Sequence, residues 1–197
     1  GEPGTRARTY KRPCGEWGRG PCEIHGSHFT ERAMMIYIGI DPGLTGAIGM
    51  LFPYEEQAVY DLPTMQNVRA AEKGRVRLHL DSPALCGLLG LFDPAECRVF
   101  LEYTQAGMKG AIANYSLGHS SGIIMGTLSA LGFTYEFVRP QEWKKEFGLL
   151  KAEKDASRRQ AAALYPLLPL SRKKDHGRAE AILLAEYGRR HFTRPID

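Results

Sequence analysis

Three places along the chain set an acidic side chain where an apolar element would otherwise continue. Asp41 closes the run Tyr37–Ile40 and precedes the turn Pro42-Gly43-Leu44-Thr45-Gly46. Glu102 directly follows Val99-Phe100-Leu101. Glu180 stands among Ala179, Ala181, Ile182, Leu183, Leu184 and Ala185, with Asp175 and His176 just ahead of it. Carboxylates are the donors that hard divalent cations take. Two such cations roughly 3.5–4 Å apart can activate a water and stabilise the leaving oxygen of a phosphodiester. The ligands must be held rigidly, which strand ends and a helix face do better than mobile loops.

Each acid also has a plainer explanation. An Asp before Pro is commonly an Asx-turn residue or a helix cap. Glu102 could be an exposed strand terminus, although in sheets with crossover helices ligands gather at the carboxyl ends of strands. A helix N-terminus favours negative charge, which accounts for Asp175. It accounts poorly for Glu180, which lies beyond the first turn among apolar neighbours, where unpaired burial is costly. His176 and Glu180 are four residues apart and share a helix face.

The elements that must hold these residues follow from the apolar pattern. Tyr37–Ile40, Ala47–Phe52 and Ala58–Leu62 read as three strands of an antiparallel meander. Arg98–Leu101 and Thr134–Val138 read as a fourth and a fifth. Helices are predicted from Ser82-Pro83 to Phe92, with Ser82 as N-cap, then over Tyr115–Leu131, around Trp143, over Lys154–Leu164 and over Arg178–Arg190. Three meander strands followed by alternating helices and strands suit an α/β fold, a mixed five-stranded sheet with helices on its faces. Gly118, Gly122, Gly126 and Ala130 recur every four residues. Close packing of that stripe on the sheet is the default expectation, and a helix–helix dimer seam is the sharper one.

Residues 1–33 lack apolar periodicity and the apolar core of a signal peptide, and are read as a disordered or non-native leader before a domain over 34–192. The whole chain has 197 residues, 43% of them hydrophobic and 24% charged, which suits one soluble domain. Its net charge of +4 is compatible with a polyanionic partner without requiring one. No apolar run approaches the roughly 20 residues of a membrane span, so no membrane partner is expected. Cys86 and Cys97 read as small core residues and a reducing compartment is expected. Cys14, Cys22, His25 and His28 could be aligned as zinc ligands, but their spacings fit no common finger.

Four stretches in order resemble the RuvC-like Holliday junction resolvases, particularly the phage-type and organellar branch. They are Ile38-Gly39-Ile40-Asp41-Pro42-Gly43-Leu44-Thr45-Gly46-Ala47, Leu101-Glu102-Tyr103, Arg139-Pro140-Gln141-Glu142-Trp143-Lys144-Lys145 and His176-Gly177-Arg178-Ala179-Glu180-Ala181. The resemblance implies a ribonuclease-H-like fold, a homodimer, two Mg²⁺ or Mn²⁺ ions per site and paired nicks across a four-way DNA junction. It makes Asp41, Glu102 and Glu180 metal ligands and catalytic residues. Relatives carry a fourth acid or His about three residues before Glu180, where this chain has Gly177, so that role falls to His176, the preferred choice, or to Asp175. Lys144, Lys145, Lys151, Lys154, Arg158, Arg159, Lys173 and Lys174 are the candidate phosphate contacts. Arg172 belongs to the same basic run. Trp143 reads as a core or lid anchor rather than a base-stacking platform. The expected location is the cytoplasm, on the nucleoid of a bacterial host and phage-encoded, with an organelle as the alternative. Rival readings are an RNase-H-like nuclease acting on RNA or RNA–DNA hybrid, an actin- or sugar-kinase-like ATP-binding protein, and a catalytically dead binding module.

Overall fold

The computed structural model describes residues 35–66, 78–104, 110–153 and 155–192. The leader with its aligned Cys and His residues, the basic residues Arg69, Lys73, Arg75 and Arg77, and Lys154 lie outside the described residues.

Strands β1 (Ile36–Ile40), β2 (Ala47–Leu51) and β3 (Gln57–Asp61) form the expected antiparallel meander. Two short strands that the sequence reading lacks, β4 (Thr64–Gln66) and β5 (Leu78–Leu80), pair with each other as a separate ribbon. Then come β6 (Cys97–Glu102), parallel to β1, and β7 (Tyr135–Val138), parallel to β6. The order β3-β2-β1-β6-β7 is a mixed five-stranded sheet, as expected.

The helices are α1 (Ser82–Leu89), α2 (Ala111–Ala130), α3 (Pro140–Glu146), α4 (Ala156–Leu164) and α5 (His176–His191). Asp81, not Ser82, caps α1: its carboxylate accepts the Ala84 N–H at 3.0 Å, and Ser82 becomes the first helical residue. Helix α2 begins a turn earlier than predicted. Among the described residues, no helix is long and apolar enough to cross a membrane.

Strand alternation divides the core. Ile38, Ile40, Ile48, Met50, Val99 and Leu101 point to one face and pack with Leu85 and Leu89 of α1 and Ile124 and Leu128 of α2. Tyr37, Leu51 and Phe100 point to the other, against Trp143, Ala161 and the apolar side of α5. Gly118, Gly122 and Gly126 do not pack on the sheet: a Cβ at any of them would meet nothing within 4 Å. They sit two residues from the buried Ser120, Ile124 and Leu128, about 200° around the helix, so the stripe faces outward. Cys97 is buried as expected, whereas Cys86 is exposed because it falls on the outer side of α1.

Helix α5 lies directly on β1 and β2. A Cβ at Gly39 would stand 2.2 Å from the Ala181 carbonyl oxygen, and one at Gly49 would stand 2.5 Å from the Ile182 nitrogen. Those neighbours are backbone and cannot rotate away. Gly39→Ala is therefore expected to cost roughly 1–3 kcal/mol, as over-packing does, lowering the melting temperature by about 2–4 °C per kcal/mol for a chain of this size. Scanning calorimetry measures it; an unchanged melting temperature would contradict the close helix–strand contact.

Candidate active site

Asp41 follows Tyr37 and Gly39 in alternation, and Glu102 follows Phe100, so both carboxyl groups belong to the sheet face that α5 covers. Ile40 pairs with Leu101, and the next step of the parallel register sets Asp41 beside Glu102. Glu180, from the first turns of α5, completes the group.

The three acids act on one another electrostatically. Burial, and then the Glu180 charge, push the Asp41 pKa up to about 6, with Gly43, His176 and Lys144 working against the rise. Burial again leads at Glu102, followed by the charges of Asp41 and Glu180; its pKa rises to about 8, opposed by Lys144 and the Trp143 indole. Glu180 Oε1 lies 3.2 Å from the Lys144 ammonium and accepts from the Ser157 hydroxyl at 3.4 Å. The Asx-turn reading of Asp41 is also present: Oδ1 accepts the Gly43 N–H at 3.3 Å. The turn therefore orients a carboxylate whose other oxygen faces Gly177, 3.3 Å from where a Cβ there would stand.

The structure treats the two candidates for the fourth position differently. Asp175 is buried, and its oxygens accept from Arg172 through the backbone N–H at 2.7 Å, Nε at 3.0 Å and Nη2 at 2.7 Å. The Arg172 guanidinium holds that carboxyl below the usual range. Arg178 stands 4.0 Å from Asp175 and forks onto Asp61 with two contacts of 2.6 Å, tying the start of α5 to the end of β3. Asp175 is thus engaged as an anchor. His176 is half-buried and its charge acts on Asp41, with Nδ1 3.4 Å from the Lys173 carbonyl. Gly177 explains why no acid stands there: a Cβ would come within 2.5 Å of the Thr45 carbonyl oxygen.

Among the candidate phosphate contacts, Lys145, Lys151, Lys173 and Lys174 are exposed. Lys144 turns inward to Glu180 instead. Arg158 is committed to Asp155 at 2.7 Å and to the Leu170 and Ser171 carbonyls, while Arg159 reaches Glu153 and Asp155 from the surface. Sequence reasoning misses Ser157, Arg172 and the Trp143 indole as supports of the acids. Nothing in their spacing marks them, because each acts through contacts that only the folded chain brings about.

Among the described residues, no three His, Cys, Asp or Glu side chains already stand as a finished metal-binding group. The donor set nevertheless fits a hard divalent cation. It offers three carboxylates that act on one another, with an imidazole whose charge also reaches Asp41, and the burial and mutual repulsion that raise two of their pKa values are what a dication would offset.

No family model matches the chain. A stretch of 81 residues is 43% identical to the protein named Holliday junction resolvase MOC1, chloroplastic, of Chlamydomonas reinhardtii, covering 40% of this chain and 9% of that protein. The chain thus matches less than a tenth of that relative's length. The structure of T. thermophilus RuvC in complex with a Holliday junction substrate superimposes with a TM-score of 0.54 at 18% identity, over 78% of this chain and 92% of that one. The fold is therefore the ribonuclease-H-like fold of RuvC, as the sequence motifs imply.

Proposed function

We propose that this chain is a metal-dependent, structure-selective endonuclease that resolves four-way DNA junctions by paired nicks. The observation that supports it most is that Asp41 and Glu102 stand side by side at the carboxyl ends of β1 and β6, both under the charge of Glu180 from α5, on the fold of RuvC. The similarity to a resolvase named chloroplastic supports the same substrate, and favours an organellar over a cytoplasmic location.

Asp41, Glu102 and Glu180, with His176 as the fourth group, would hold two Mg²⁺ or Mn²⁺ ions, which supply water activation and stabilisation of the leaving oxygen. The chain's own residues do the positioning. The Asp61–Arg178–Asp175–Arg172 chain fixes the start of α5 and with it His176 and Glu180. Ser157 and Lys144 fix the Glu180 carboxylate, and Lys144 keeps the acid cluster from being uniformly negative. Lys145, Lys151, Lys173, Lys174 and Arg159 would meet phosphates from the surface, with the paired Arg158 as a lesser contributor and Lys154, outside the described residues, retained as a candidate.

Paired nicks need two symmetry-related sites, which a homodimer supplies. The surface assigned to that contact is the outer side of α2. It has no charged residue in 20 positions, and sets the glycine stripe beside Ile112 and Tyr115, which are 80% and 74% exposed.

The test offers four-way junction, linear duplex and RNA–DNA hybrid with Mg²⁺. Symmetric paired nicks in the junction are expected, with binding that weakens steeply as salt rises because phosphates dominate the contact. Equal affinity for junction and linear duplex at physiological salt would make it a general nuclease. Cleavage confined to the hybrid would transfer it to the RNA-directed reading.

A further inference from the structure

Trp143 is fully buried, yet its indole Nε1 has no formed hydrogen bond. An unsatisfied buried N–H costs roughly 1–3 kcal/mol, so packing alone would favour Phe or Leu at this position. The Glu102 carboxyl lies within the indole's reach: the N–H is close enough to oppose the rise in its pKa, yet no complete hydrogen bond is formed. Donors in a reaction site often stand in that way until the reacting complex forms.

The placement is built rather than incidental. Val138, the cross-strand partner of Glu102, leads straight into α3, where Glu142 accepts the Arg139 N–H at 2.9 Å and fixes the first turn. Trp143 then packs in the layer beneath α5 with Val138, Ile182 and Leu183. The Lys144 ammonium, 3.2 Å from Glu180, lies 4.9 Å from the Trp143 ring centroid, so the indole also touches the cation that pairs with Glu180.

We infer that Trp143 is a positioning residue whose indole N–H donates to the Glu102 carboxylate when that carboxylate takes a divalent cation, fixing which oxygen faces the ion. This rests on the metal-dependent reading above. Donors of this kind orient metal ligands, and losing one typically weakens metal affinity about 10–100-fold.

The chain has two tryptophans, so Trp17→Phe leaves Trp143 as the sole indole. In that parent protein the indole ¹H–¹⁵N resonance should move saturably with added Mg²⁺, and should cease to respond in Glu102→Ala. Replacing Trp143 by benzothienylalanine, which keeps the ring shape and substitutes sulfur for N–H, should weaken Mg²⁺ about 10–100-fold by calorimetry. The melting temperature in EDTA should not fall. Trp143→Phe should behave alike, and if it fails to fold the benzothienyl protein decides. Unchanged Mg²⁺ affinity, or an indole resonance indifferent to Mg²⁺, overturns the inference. Because these readouts follow the ion and not cleavage, a parent that binds Mg²⁺ through this contact yet leaves junctions uncut would uphold it while sinking the resolvase reading. A parent that binds no Mg²⁺ sinks both.

Discussion

Glu102→Gln is expected to lower cleavage of a four-way junction by about two to four orders of magnitude, equivalent to roughly 3–5 kcal/mol of lost transition-state stabilisation. The two side chains have nearly the same shape, so the strand end and its packing should survive. What disappears is the carboxylate that a dication can draw out by displacing its proton, at the group on which burial, Asp41 and Glu180 all bear. Junction affinity should change little, since it arises mainly from surface cations meeting phosphates. The comparison to make is single-turnover cleavage beside equilibrium binding in Ca²⁺ or EDTA. Loss of cleavage, binding and thermal stability together would mark Glu102 as a structural residue. Retained cleavage would remove it from the reaction altogether.

The site is readable in the sequence because strands advertise their ends. Asp41 and Glu102 interrupt apolar runs at positions where a core residue would fit, and period-two alternation then sends both to one face. Glu180 is readable for a similar reason, as a charge set against the apolar run Ala179 and Ala181–Ala185. The choice between Asp175 and His176 is not, because it depends on Arg172 folding back onto Asp175 and on Gly177 abutting Thr45. The ribbon of β4 and β5 escapes notice because strands of three residues carry no measurable periodicity. The default expectation puts the glycine stripe on the wrong side, since spacing shows which residues share a face, not which face meets the core. Charge alone groups Lys144 with the surface cations; in the folded chain its ammonium instead meets Glu180 at 3.2 Å.

Stability of the metal-free protein should fall as pH rises, and Mg²⁺ should reverse the fall. The folded-state pKa of Asp41 is raised from 3.8 to about 6, and that of Glu102 from 4.5 to about 8. A raised carboxyl binds its proton more tightly in the folded chain than in the unfolded one. Its stabilising contribution is therefore complete below the unfolded pKa, near pH 4, and is lost as pH climbs through the folded values, up to about pH 8. A tenfold gain in proton affinity on folding corresponds to about 1.4 kcal/mol. Because the two acids share one cluster, the combined effect is on the order of a few kcal/mol rather than a sum. Divalent cations bind only the deprotonated ligands, so their stabilisation should grow over the same interval, reaching about 2.7 kcal/mol when the ion stands at a hundred times its dissociation constant. Melting curves in EDTA and in Mg²⁺ from about pH 5 to about pH 8.5, an interval that spans both folded values, measure both effects. Wild-type protein in EDTA should melt progressively lower, and the Mg²⁺ gain should be small at the acid end and large at the alkaline end. Glu102→Gln has no proton to lose there, so its EDTA profile should be flatter and its Mg²⁺ gain reduced. If the variant kept the wild-type slope, the pH dependence would arise from other groups, and the acids could not be the coupled cluster described. If Mg²⁺ stabilised equally at both ends of the range, its binding would not involve these carboxylates.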